Sequence, residues 1–142
     1  MKDLQRIAFW ILTLSLCLLA KPLPIIDMDD SNIGLMREQV ECPSDLTLYT
    51  PSNVKEQCIT AALNCFVTEL RGTAKDECED PQKRINPAVK FLELLTEERS
   101  GNVSIAPKNS DGCVCESWPP TPFSHFLEDM ESFLQSQNAA AS

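Results

Sequence analysis

The sequence predicts an all-α protein, a bundle of four helices held together by disulfide bonds. Apolar residues recur at helical spacing in four segments, whereas no segment shows the sustained apolar and polar alternation that is typical of strands. Six of the seven cysteines follow a leader-like N-terminus, and an even number favours disulfides in a secreted chain. A chain of 142 residues has room for one ordinary domain.

The N-terminus has the pattern of a secretory signal peptide. Lys2 and Arg6 precede residues 7–20, an apolar run of 14 residues without charge. A helix that spans a membrane needs about 20 residues, so the run favours a cleaved signal over an anchor. We therefore expect a signal peptide over residues 1–20, a mature four-helix domain over residues 21–142, and a secreted protein that does not insert into membranes.

Apolar spacing, together with proline and glycine, predicts where the first two helices lie. Spacing predicts the first helix over residues 29–40, where Gly34 inside the helix costs about 1 kcal/mol relative to alanine. It predicts the second over residues 51–70, with Pro51 at the first helical position and Gly72 as the stop.

Charged residues then predict a loop over residues 71–84, which Cys78 anchors. The third helix is predicted over residues 87–99 and ends before Gly101. Its apolar residues are Ala88, Val89, Phe91, Leu92, Leu94 and Leu95. The fourth helix is predicted over residues 122–137. Its apolar residues form a single stripe of Phe123, Phe126, Leu127, Met130, Phe133 and Leu134.

Cysteine spacing restricts how the disulfides can form. Cys58 and Cys65 are two helical turns apart, so they face the same side of the second helix about 10.5 Å from each other. Cys113 and Cys115 point roughly opposite ways in an extended segment and are poorly placed to bond each other. A loop laid along the helix could therefore offer one sulfur to each helical cysteine.

Cys42 and Cys78 then remain as the third pair by elimination, although sequence alone leaves fifteen pairings open. A structural zinc site requires closely paired ligands such as C-x2-C, and the sequence has no such pair. The single histidine, His125, has no cysteine near it in sequence. We expect three disulfides, no metal and no other cofactor.

Composition excludes several classes of function. A net charge of −9 disfavours nucleic acid and anionic membranes as partners. One histidine, no glycine-rich phosphate loop and no G-x-S-x-G motif indicate that the protein is not an enzyme. The carboxylates Glu128, Asp129 and Glu131 are interpreted as a solvated helix face. The sequon that begins at Asn102 predicts N-glycosylation.

Several segments resemble the interleukin-15 family. The most specific are the approach to the second helix and the two-cysteine helix itself, and the resemblance covers roughly residues 45–137. The matching segments are DLTLYTPSNV (residues 45–54), Cys58, NCFVTEL (64–70), GNVS (101–104), GCVC (112–115) and residues 126–135 of the last helix.

The resemblance implies an up-up-down-down short-chain four-helix cytokine that stimulates lymphocytes. Its implied partners are a sushi-domain alpha chain, a beta chain shared with interleukin-2 and the common gamma chain, and we expect a monomer. It also implies the pairings Cys58–Cys113 and Cys65–Cys115.

The family's receptor contacts carry over to four positions. Those to the alpha chain fall on Tyr49 and Glu69, which we expect near opposite ends of the second-helix region. The gamma-chain glutamine falls on Gln135. The beta-chain aspartate falls nearest to Asp30, with Asp29 as the alternative.

The chain also departs from the family pattern. The last cysteines stand as Cys113-Val-Cys115 where the family has C-x-x-C, and Cys42 and Cys78 have no counterpart in the mammalian pattern. Phe91 stands where the family has its beta-chain asparagine. Both interleukin-15 itself and an interleukin-15-like paralogue fit these observations.

A function of a different class is a small disulfide-rich secreted inhibitor or carrier. An internal cavity would favour a carrier of an apolar ligand. A solid core with polar, exposed faces would favour the cytokine.

Overall fold

The computed structural model describes residues 26–102 and 113–141, and the predicted signal peptide lies outside these ranges. Four main helices account for most of the described chain, which confirms the predicted all-α class. They are α1 (Ile33–Gln39), α2 (Ile59–Glu69), α3 (Ile85–Asn102) and α4 (Phe123–Ala141). No helix within these ranges is both long and apolar enough to cross a membrane.

The first helix is shorter than predicted because a left-handed residue divides it. Met28–Ser31 forms a 3-10 turn, and Asn32 follows with φ of 63° before α1 begins. Asparagine adopts this conformation more readily than most residues. The Asp27 side chain accepts a hydrogen bond from the Asp29 backbone N–H and so caps the 3-10 turn.

The second helix is displaced along the chain relative to its prediction. It begins at Ile59, after a 3-10 turn at Glu56–Cys58, and Pro51 lies in the segment before them. The stop predicted at Gly72 is wrong, since helical structure continues through a π-helical turn, Leu70–Ala74.

An α-helical turn at Lys75–Glu77 follows, so the first half of the predicted loop over residues 71–84 is helical. Leu70 and Ala74 are fully buried at the two ends of the π-helical turn. Their burial in the core offsets the glycine between them, which costs about 1 kcal/mol in a helix.

The third helix starts earlier than predicted because Asp80 caps it. The Asp80 carboxylate accepts hydrogen bonds from the backbone N–H groups of Arg84 (2.7 Å) and Ile85 (2.9 Å). The helix runs to Asn102, so Gly101 does not end it. The fourth helix has its predicted start within one residue and extends to Ala141.

Two long connections and one short connection join the main helices. Residues 40–58 link α1 to α2, and residues 103–122 link α3 to α4, of which 113–122 are described. In these two connections lie β1 (Leu48–Tyr49) and β2 (Pro120–Thr121), which pair antiparallel with Leu48 opposite Thr121. A bundle with two long crossover connections is up-up-down-down, as predicted.

The core lies between the helices and is built largely from the predicted apolar stripes. Phe66 of α2 is fully buried and packs edge-to-face on Phe126 of α4, with ring centroids 5.3 Å apart. Phe133 lies 5.7 Å from Phe66, and Leu48 of β1 also enters the core. Helix α3 contributes Ala88, Val89 and Leu92.

All six cysteines in the described residues form disulfides. The pairs are Cys42–Cys78, Cys58–Cys113 and Cys65–Cys115, which are the pairs expected from the sequence and the family resemblance. Next to Cys42–Cys78, Glu41 and Glu79 exchange two backbone hydrogen bonds of 3.0 and 2.7 Å. The described residues contain no cluster of three or more side chains that could hold a metal ion.

Candidate functional site

Tyr49 and Glu69, the two predicted alpha-chain contacts, lie side by side. The backbone N–H of Tyr49 in β1 donates a hydrogen bond to Oε1 of Glu69 at 3.2 Å. Our expectation that they lie near opposite ends of the second-helix region is therefore wrong. The connection from α1 passes the C-terminal end of α2 before it enters that helix, which places β1 against Glu69.

The two side chains differ sharply in exposure. The Tyr49 side chain lies at the surface and the residue is 37% exposed, whereas Glu69 is only 8% exposed. Glu69 is the last residue of α2, and its carboxylate lies beneath the backbone of β1. Tyr49 is thus available to a partner, and most of Glu69 is not.

Polar contacts hold the backbone around Tyr49 from several sides. The Thr50 backbone N–H donates to the carbonyl of Pro119 at 2.9 Å. The Thr50 hydroxyl donates to the carbonyl of Leu48 at 2.8 Å, and it lies 2.5 Å from the hydroxyl of Thr121. Cys65–Cys115 joins α2 covalently to the segment that leads into β2. The backbone around Tyr49 is therefore held by contacts among the α1–α2 connection, the α3–α4 connection and α2.

Asp30 and Gln135 lie elsewhere on the bundle. Asp30 is exposed in the 3-10 turn before α1, as is Asp29, and Gln135 is exposed on α4 outside the buried stripe. Two hydrogen bonds between the backbone of Ile26 and the Asn138 amide, of 2.6 and 2.8 Å, tie the start of the described chain to the end of α4. Among the described residues, no hydrogen bond or ion pair joins Asp30 or Gln135 to the pair of Tyr49 and Glu69.

Leu94 is a surface residue that the sequence interpretation counted with the apolar residues of the third helix. It is 59% exposed on α3, whereas Leu92 is fully buried and Phe91 is half-buried against the core. Two residues along a helix turn the side chain by about 200°, so Leu94 faces away from Leu92. That angle was the signal available in the sequence.

The carboxylates of α4 lie at the surface, where two of them are close to basic side chains. Asp129 lies 3.4 Å from Nε2 of His125, one helical turn earlier. Glu131 pairs with Arg37 of α1 at 3.3 Å, with both side chains exposed. Surface pairs of this kind contribute little to stability.

The predicted glycosylation site lies at the edge of the described chain. Asn102 is the last residue of α3, and its side chain lies outside the described residues together with Val103 and Ser104. Glycosylation at Asn102 stays a prediction.

The sequence of the chain matches one known protein family over most of its length. Residues 22–137, which include all four helices up to residue 137 and the six paired cysteines, match the family described as Interleukin 15. The chain belongs to the interleukin-15 family. The interleukin-15 family is a family of cytokines, not of enzymes.

Two curated members of the interleukin-15 family are similar to the chain. Interleukin-15 of Marmota monax is 35% identical over 95 residues, and interleukin-15 of Marmota himalayana is 34% identical over 95 residues. Each alignment covers 64% of this chain and 54% of the relative. The chain thus spans about half the length of the curated relatives it matches, and no solved structure matches it.

Proposed function

We propose that the chain is a secreted cytokine of the interleukin-15 type, which binds and bridges cell-surface receptor chains to stimulate lymphocytes. The observation that carries this proposal is the family match over residues 22–137 on a four-helix bundle with three disulfides. Disulfides persist in oxidising compartments, which supports secretion together with the signal-peptide pattern of residues 1–20.

For the sushi-domain alpha chain, we propose Tyr49 as the anchor. Interface hot spots are enriched in tyrosine, and a rigid aromatic side chain loses little conformational freedom on binding. The polar contacts around Tyr49 and its neighbours supply the rigidity. Glu69 belongs to the same proposed site, since its carboxylate accepts the hydrogen bond from the Tyr49 backbone N–H.

For the shared beta chain and the common gamma chain, we propose surfaces that contain Asp30 and Gln135, respectively. Both residues are exposed and lie on elements other than β1 and α2. A single molecule that binds two receptor chains through different elements brings those chains together. The protein would therefore act as a monomer with several binding faces.

The packing of the core favours a cytokine over a carrier of apolar ligands. Large side chains such as Phe66, Phe126 and Met130 are fully buried against one another, so they fill the centre of the bundle. Two grooves of about 300 and 250 Å³ occur on the described part, and both are open to solvent. A carrier needs an enclosed apolar site.

The test is binding of the purified secreted protein to a panel of immobilised ectodomains: sushi-domain alpha chains, shared beta chains and common gamma chains. We expect binding to at least one sushi domain, and proliferation of lymphocytes that carry beta and gamma chains. Binding to no receptor ectodomain, combined with inhibition of a protease or uptake of an apolar dye, would favour the inhibitor or carrier instead.

A further inference from the structure

The three disulfides of the described residues differ in how exposed their cysteines are. Cys58 and Cys113 are both buried, with 7% and 4% exposure, and Cys65 of another pair is 2% exposed. In the Cys42–Cys78 pair, by contrast, both cysteines are only half-buried, at the edge of the core. Thiol–disulfide exchange requires a thiolate to reach a sulfur atom, so access affects its rate. Cys42–Cys78 is therefore the disulfide most open to attack.

One cysteine of this pair faces an open groove. Cys42 lines the groove of about 250 Å³ between the end of α1 and the start of α4, whereas Cys78 does not line it. Val40, Phe123 and Leu127 form the apolar part of the groove wall. An attacking thiolate approaches one sulfur from the side opposite the sulfur that leaves. The groove therefore favours attack on Cys42, with Cys78 as the leaving group.

Backbone contacts beside this disulfide remain when the bond is cut. Cys42 and Cys78 stand next to the antiparallel pair of Glu41 and Glu79, whose two backbone hydrogen bonds do not involve sulfur. The Cys78 N–H also donates to the carbonyl of Ala74 at 2.9 Å. The other two disulfides join α2 to the α3–α4 connection, so they are independent of this bond. Cutting it would therefore loosen the start of the α1–α2 connection and leave the bundle folded.

Carboxylates around the site discriminate among reductants by charge. Residues 75–80 carry four carboxylates and one lysine, and Glu41 pairs with this segment through its backbone. Arg37, the basic side chain that lines the groove, already pairs with Glu131 at 3.3 Å. Charges repel one another over a Debye length of about 8 Å at physiological ionic strength. An anionic thiol should therefore react more slowly at this site than a neutral or cationic one.

We infer that Cys42–Cys78 is a redox-sensitive modification site, which a neutral or cationic thiol reductant cleaves selectively while the four-helix bundle stays folded. The thiolate of the reductant bonds to Sγ of Cys42 as the S–S bond breaks, and Sγ of Cys78 leaves with the electron pair and takes up a proton. A second thiol of the reductant then displaces Sγ of Cys42, which is protonated in turn. The protein ends with two thiols, and the reductant, oxidised by two electrons, ends as a disulfide. The fitting partner is a dithiol oxidoreductase without a negative surface around its reactive thiol, whichever receptor chains the protein binds.

The test treats the full-length secreted protein, under native conditions, with cysteamine, mercaptoethanol or mercaptoethanesulfonate at equal thiolate concentration. Free thiols are alkylated at intervals and located by peptide mapping. We expect Cys42 and Cys78 to be labelled about tenfold faster than the other four cysteines, and the first mixed disulfide to form on Cys42. Cationic cysteamine should react about threefold faster than the anionic sulfonate at low salt, and about 0.5 M salt should remove most of this difference. Earlier labelling of another pair, a first adduct on Cys78, or equal rates with both charged thiols would overturn the inference.

Amide hydrogen exchange of the selectively reduced protein tests whether the bundle stays folded. Exchange at the amides of Glu41 and Glu79 should accelerate, while the amide of Met130 in the core of α4 should stay slow, since it reports global opening. The double variant Cys42→Ser/Cys78→Ser is the matched control, because it lacks the bond and carries no alkyl group. It should show the same exchange pattern and no early thiol labelling. Fast exchange at Met130 in the reduced protein would overturn the inference, since the bond would then be required for the fold.

Discussion

Leu94 and Tyr49 are the large apolar side chains that lie most open to solvent on the described part of the chain. Scattered apolar residues are normal on a protein surface. Here, however, hydrogen bonds hold the backbone of Tyr49 and its neighbours. Leu94 lies on the helix in which the family resemblance aligns Phe91 with the beta-chain asparagine. Substitutions at single surface residues therefore provide the first tests of the receptor faces.

Leu94→Ser should lower affinity for a shared beta chain and leave the fold unchanged. Because the side chain is 59% exposed, the stability change should stay within about 0.5 kcal/mol. Leu92→Ala is the matched control, since Leu92 is fully buried and its truncation should cost about 2–5 kcal/mol. Urea unfolding and beta-chain titration of both variants decide the matter. A large loss of stability in Leu94→Ser would show that the side chain is structural.

Gln135→Asp should spare alpha-chain binding and impair signalling through the common gamma chain. An unpaired charge buried at an interface is costly, and Gln135 is exposed in the free protein, so the fold should not change. Thermal unfolding is the control, and binding to each receptor ectodomain is the measurement. Equal losses at the alpha and gamma chains would mean that Gln135 has no face-specific role.

At the level of elements, helix ends are set by side-chain contacts that spacing does not reveal. The 3-10 turn before α1 ends at Asn32, and α3 begins where the Asp80 carboxylate meets two backbone N–H groups. At the C-terminal end of α2, by contrast, the chain continues into the π-helical turn Leu70–Ala74, which contains Gly72, the predicted stop. Glycine permits a helix to end, but only the burial of Leu70 and Ala74 decides that this one continues.

Gly72→Ala should stabilise the protein by about 0.5–1 kcal/mol. A Cβ at Gly72 would meet no heavy atom within 4 Å, and alanine favours helical backbone over glycine. Gly34→Ala in α1 meets the same condition and should behave alike. The free energy of unfolding in urea is the measurement. A loss of stability in Gly72→Ala alone would indicate that the π-helical turn needs the flexibility of glycine.

Asp80→Ala should destabilise the protein by about 1 kcal/mol, because it leaves the N–H groups of Arg84 and Ile85, at the start of α3, without their acceptor. Asp80→Asn keeps one acceptor oxygen and should recover part of the loss. Glu79→Ala changes the neighbouring exposed carboxylate and is the control. Similar destabilisation by Asp80→Ala and Glu79→Ala would argue against the cap.

For the whole molecule, local periodicity predicted the class and the four helices because apolar stripes and cysteine spacing are properties of short segments. The contact between Tyr49 and Glu69 was missed, since it joins residues 20 apart across a crossover connection. Sequence spacing placed these residues at opposite ends of a helix region, and only the path of the chain brings them together. The burial of Glu69 could not be predicted from local spacing either, because it depends on β1, which covers the C-terminal end of α2.

Non-reducing peptide mapping should recover three linked peptide pairs that join Cys42 to Cys78, Cys58 to Cys113 and Cys65 to Cys115. Replacing both Cys42 and Cys78 by serine should cost about 2–4 kcal/mol, because the bond restricts the unfolded chain. The backbone hydrogen bonds between Glu41 and Glu79 would then hold the two segments alone. A bond between Cys113 and Cys115, or a free thiol at Cys78, would contradict the pairing.

The three disulfides overlap along the sequence, so every peptide bond between Cys42 and Cys115 is bridged by at least one of them. A protease that cuts the backbone once anywhere in this interval would leave both fragments covalently joined. Such a nicked molecule would migrate as an intact chain until a reducing agent separated its parts. Loss of activity after limited proteolysis could thus occur with no change in apparent mass, and the two would have to be assayed separately.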